Sequence, residues 1–101
     1  MQVIDLDGGG WLSELDFYNA LARALGSVEW HGRNANAFEE TMIYYLELNE
    51  TQPPYEIVIR NANEPLLPFL REFASRIGRA RGDRKDDPNW GDDVDVRVSI
   101  T

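Results

Sequence analysis

The chain has no cysteine and only one histidine. The first absence excludes disulfides, thiolate nucleophiles and cysteine-ligated zinc together, and it suits a reducing compartment. The second leaves His31 with no other imidazole to share a metal. None of Ser13, Ser27, Ser75 and Ser99 stands in a context that marks a nucleophile. A lone loop histidine of this kind reads as a surface hydrogen-bonding residue. No apolar run approaches membrane-spanning length. The opening MQVIDLDGGGW has no positive region and no long apolar stretch, so no secretory signal is expected. A cytoplasmic protein without a membrane partner follows.

Positive charge is also scarce. Ten basic residues stand against 18 acidic ones, a formal net charge of −8. Such a chain repels nucleic-acid backbones and attracts basic partners. The run Gly8-Gly9-Gly10 lacks both the glycine spacing of a dinucleotide fingerprint and the Lys-Ser/Thr pair of a phosphate loop. The aspartates of DDPNWGDD break the calcium-loop pattern at its glycine and its closing glutamate. Glu39 and Glu40 are adjacent on an expected helix and diverge by about 100°, so they do not converge on one bond as a glycosidase pair must. No enzyme, metal or cofactor is expected from this inventory.

The residues that are present support one α/β domain over 1–101, with 43% apolar residues to build its core. QVIDL reads as a first strand. SELDFYNALARALG reads as a helix with Ser13 and Asp16 as a capping box, a stripe of Leu15, Tyr18, Leu21, Ala22 and Leu25, and Gly26 at its end. A second helix is expected from about Asn34 to Leu48. Asn34 or Asn36 caps it, Asn34 being favoured, with Phe38, Met42, Tyr45 and Leu46 as its buried stripe. YEIVIRN reads as a strand covered on both faces, because Ile57, Val58 and Ile59 run on without alternation. A turn around Glu64 to Leu67 leads into a third helix bearing Leu66, Leu70, Phe73 and Ile77, with Gly78 as its end. Arg79 to Asp93 reads as the least ordered part, with Trp90 exposed. Val94 to Ile100 alternates strictly and reads as a strand with one wet face. Strands linked by helical crossovers, in the order β-α-α-β-α-β, imply a small three-stranded parallel sheet packed with three to four helices.

The stretch EWHGRNANAFEE carries the functional signal. On the second helix, Asn36, Glu40, Ile43 and Glu47 share one face, opposite the Phe38 stripe. Glu39 and Tyr44 flank that face and Trp30 precedes it. Carboxylates, amides and aromatic surface together suit a protein interface. An ordinary wet helix face and a set of helix-stabilising acids at the positive end are the plainer readings.

WHGRNANAFEE also resembles the central motif of the barstar family, the intracellular inhibitors of barnase-type ribonucleases. Trp30, Gly32, Arg33, Asn34, Ala37 and Phe38 fit its frame, and the order of elements along nearly the whole chain is similar. The resemblance implies a barstar-like fold, a monomer when free, no cofactor, and inhibition by occlusion. It places Trp30 at a contact tyrosine, Asn36 at a contact aspartate, and Glu40 at the aspartate that enters the ribonuclease active site. Tyr44 and Tyr45 fall where the family's helix ends in further contacts, and Glu72 matches an acidic contact on the last helix. Two departures stand out: Asn36 lacks the charge, and Glu40 is one methylene longer. Arg79 to Asp93 looks like an insertion. The implied partner is a basic ribonuclease or secreted toxin other than barnase itself. The alternative is an interaction module of the same fold whose partner is not a nuclease.

Overall fold

The computed structural model describes residues 1–101. Three strands, β1 (Gln2–Asp7), β2 (Tyr55–Arg60) and β3 (Val96–Ile100), form one parallel sheet in the order β1-β2-β3. The register aligns Ile4 with Ile57 and Ile57 with Val98. Strand order advances in one direction, so crossovers of one hand put the helices on one side of the sheet. Burial bears this out. Tyr55, Ile57 and Ile59 are buried while Glu56, Val58 and Arg60 are not. The central strand therefore alternates and is not covered on both faces as its apolar run suggested. Its outer face is polar and cross-linked: Arg60 pairs with Asp5 at 2.6 Å, and the Ser99 hydroxyl donates to Glu56 at 3.1 Å.

Helix α1 (Glu14–Leu25) begins with the expected capping box of Ser13 and Asp16, and Gly26 ends it in the left-handed conformation at φ 63°. Phe17 takes the buried position that the spacing assigned to Leu15, which is half-exposed. Helix α2 (Ala35–Glu39) is capped by Asn34, whose side chain accepts from the Ala37 amide at 2.8 Å.

The regular helix expected to Leu48 stops at Glu39. A π-helical turn, Glu40–Tyr44, replaces it, closed by the Tyr45 amide donating to the Glu40 carbonyl at 2.7 Å; a 3-10 turn, Leu46–Leu48, follows. A π turn advances fewer degrees per residue than an α turn. Ile43 consequently swings into the core, fully buried, and Tyr45 swings out to 50% exposure. Both were expected the other way round.

A 3-10 turn, Glu64–Leu66, leads into helix α3 (Leu67–Asp86). Pro68 lies in the first turn of α3, where its missing N–H leaves no bond unmade. The helix does not end at Gly78. Its buried stripe of Leu70, Phe73 and Ile77 continues through Ala80 and Arg84 at helical spacing, so much of the segment read as poorly ordered is helix. Asp87, extended before Pro88, terminates it. Strand β3 starts at Val96, two residues later than expected, because Asp95 sits at φ 52°. Twenty buried residues form the core, and Phe17, Tyr18, Phe38 and Phe73, with the partly buried Phe69, make a continuous aromatic cluster in it.

Candidate interaction surface

The loop before α2 is held from inside. His31 is buried, 6% exposed, against the surface role its isolation suggested. Its Nε2 lies 3.1 Å from the Ala37 carbonyl and 3.0 Å from the Thr41 hydroxyl, and its ring packs on Phe38 at 4.5 Å. The Ala37 carbonyl already accepts from the Glu40 amide, and the imidazole adds a side-chain partner where the regular helix gives way to the π turn. Nδ1 is buried without a partner. Arg33 donates to the His31 carbonyl at 2.8 Å and to Asn19 at 3.3 Å, tying the loop to α1. Trp30 then projects outward, 74% exposed.

The far end of the π turn is secured by side chains as well. Asn49 donates to the Thr41 carbonyl at 3.4 Å, and Gln52 donates to the carbonyls of Leu46 and Asn49. Arg84, 8% exposed, donates to the Ile43 carbonyl and holds the Asp92 carboxylate at 2.8 and 3.1 Å. Its guanidinium stacks 4.5 Å from the Trp90 ring, and Trp90 meets Tyr44 edge-on at 5.6 Å. Trp90 is thus partly covered, although 41% of it stays exposed. Burial pushes the Tyr44 phenol up, and Asp83, Glu39 and Asp87 nearby push it the same way.

Among the candidate residues, Trp30, Asn36, Glu40 and Tyr45 are exposed and Tyr44 is half-buried. Glu40 forms no ion pair; the Asn36 amide donates to it over 3.4 Å. Glu39 is engaged with Arg76 at 3.0 Å. Glu72 is exposed on α3, one turn before Arg76, and pairs with Arg79 at 3.0 Å. Ile43 is enclosed and offers no surface to a partner. Sequence reading missed Arg76, whose Nη2 reaches Asn36 at 3.3 Å, and Arg84. Helical spacing could have suggested the first, which stands four residues after Glu72. No group of three or more His, Asp or Glu side chains is arranged to hold a metal, and no helix is long and apolar enough to cross a membrane.

A family model described as Barstar (barnase inhibitor) matches residues 1–77. The chain belongs to the barstar family. The match takes in the whole motif loop, the π turn and Glu72, and stops inside α3. The barstar-like arrangement of a three-stranded parallel sheet with helices is the one observed. The last turns of α3, the Asp92 loop and β3 lie outside the matched residues. None of the curated proteins compared with the chain matches it.

Proposed function

We propose that this barstar-family chain is a protein inhibitor that occludes the active site of a basic ribonuclease, and that it does so without turnover or cofactor. The observation that carries the reading is Glu40: an exposed carboxylate, free of any ion pair, on a turn whose backbone is fixed from both ends. A carboxylate so placed can stand in for an RNA phosphate among the cations of a nuclease cleft. Trp30 and Tyr45 supply exposed aromatic surface, Tyr44 a half-covered ring, and Asn36 an amide; Glu72 extends the surface onto α3. Ile43 has only a supporting role, under the turn. Glu39 contributes through Arg76. A net charge of −8 steers a cationic partner toward the chain.

Calorimetric titration against a barnase-type ribonuclease, at low and high salt, tests the reading. Binding that weakens with salt, inhibits the nuclease and is lost in Glu40→Gln supports it. Binding indifferent to Glu40 rejects it.

A further inference from the structure

Arg76 reaches from α3 across to α2 and stands inside the surface just described. Its Nε lies 3.0 Å from Glu39 and its Nη2 3.3 Å from the oxygen of Asn36. Asn36 in turn directs its amide nitrogen toward Glu40 at 3.4 Å. These neighbours fix which way the Asn36 amide points: oxygen to the guanidinium, nitrogen to the carboxylate. An aspartate at 36 could accept from Arg76 but would repel Glu40. Asparagine serves both sides, so residue 36 and Arg76 belong to one arrangement. The cation cancels Glu39, Asn36 is neutral, and Glu40 is left as the one uncompensated charge of the group. Arg76 is 34% exposed, and its Nη1 donates to nothing within the chain.

We infer that Arg76 determines which ribonuclease this surface accepts. The inference rests on the occlusion reading and sharpens it. The partner's cleft presents one cation to Glu40 and, beside it, a carboxylate or carbonyl to Arg76. A cleft with cations at both positions meets the guanidinium as a like charge and is rejected. Arg76 is thus a barrier to the wrong nuclease as well as a contact for the right one.

The test titrates wild type, Arg76→Gln, Arg76→Ala, Arg97→Ala and Glu40→Gln against a barnase-type ribonuclease, whose cleft groups several cations, at two ionic strengths. Thermal unfolding of each variant accompanies the titrations. Arg76→Gln keeps an amide donor at the position of Nε, facing Glu39, and removes the charge together with the Nη2 contact to Asn36. Arg97→Ala removes the same charge from the outer face of the sheet, where it pairs with Asp95 away from the candidate surface. Arg76→Gln and Arg76→Ala should bind about tenfold tighter than wild type, between the screened and unscreened limits of one charge contact, and should show a steeper salt dependence. Arg97→Ala should change affinity about twofold at most. Equal gains in Arg76→Gln and Arg97→Ala, no gain at Arg76, or no binding by any variant overturns the inference. A loss in Glu40→Gln without a gain in Arg76→Gln overturns the specificity claim alone. Binding untouched by Glu40→Gln overturns the occlusion reading and this inference with it.

Discussion

Arg84 Nη1 donates to the backbone carbonyl of Ile43, 41 residues earlier in the chain, and both groups are buried. The π turn leaves that carbonyl without a helical partner, and the tail of α3 supplies one. The same guanidinium grips Asp92 and stacks on Trp90. One side chain therefore joins the turn that carries Glu40 to a segment beyond the matched 77 residues. Arg84→Met should destabilise the fold by about 2–3 kcal/mol, since a buried carbonyl loses its donor and a cation–π contact goes too. Urea unfolding measures the loss, and faster hydrogen exchange at the Tyr45 amide locates it. Asp92→Asn should have a much smaller effect, because the Asp92 side chain is 59% exposed.

At the candidate surface, Glu40→Ala should weaken nuclease binding by about 2 kcal/mol or more, the range of residues that dominate interfaces. Its folding stability should stay within about 0.5 kcal/mol of wild type, as for surface changes away from special features. Trp30→Ala should behave in the same way. Glu14→Ala, in the first turn of α1, should leave binding unchanged. Titration calorimetry and thermal melts on the same samples separate the two quantities. A comparable loss at Glu14 rejects the site.

His31→Phe should keep the packing against Phe38 but remove the contacts from Nε2 to Ala37 and Thr41. The Ala37 carbonyl then keeps only its backbone partner, the buried Thr41 hydroxyl loses its side-chain partner, and the expected destabilisation is about 1–3 kcal/mol. Chemical denaturation checks this. A neutral result would mean that neither contact holds the π turn.

The parts of the fold that local spacing could reveal were those with local causes. Ser13, Asp16 and Gly26 bracket α1 within its own sequence, and the Val96, Val98, Ile100 alternation needs only neighbouring residues. The π turn has no local signature. It depends on His31, Asn49 and Arg84 supplying donors from 6, 8 and 41 residues away. A reading at constant helical pitch therefore put Ile43 outside and Tyr45 inside. Arg76 escaped for the same reason: its meaning lies in a contact 40 residues distant, with Asn36. Trp30 and Glu40 were legible because their exposure precedes or coincides with the change of pitch.

Gly78 and Gly82 lie in the interior of α3, where an added Cβ meets nothing within 4 Å. Glycine there weakens the helix through backbone entropy. Gly78→Ala and Gly82→Ala should each stabilise the protein by about 0.5–1 kcal/mol. Gly26→Ala should do the opposite, since φ is 63° and a Cβ would lie 2.8 Å from the Glu50 side chain. Melting temperatures of the three variants decide the matter, and a loss on Gly78→Ala would show that the helix does not run through it.

Acid should act first on the loop that leads into β3. Arg81 holds Asp93 through two hydrogen bonds of 2.6 and 2.7 Å, and the Asp95 amide adds a third. These bonds, led by those from Arg81, hold the Asp93 carboxyl well below the usual carboxylate range. Arg84 lowers Asp92 in the same direction. A folded value below the unfolded one means that the ionised carboxylate favours the folded state. That contribution is in place above about pH 4, the ordinary aspartate value, and is lost as pH falls below it toward the folded value. Removing Arg81 removes the leading cause and leaves the Asp95 amide. The stability difference between wild type and Arg81→Gln should therefore be present at neutral pH and shrink below about pH 4. Urea midpoints measured across that range should converge at the acid end. Curves that stay parallel would mean that Asp93 titrates alike in the folded and unfolded chains, and the bridge would then have no part in fastening β3 to α3.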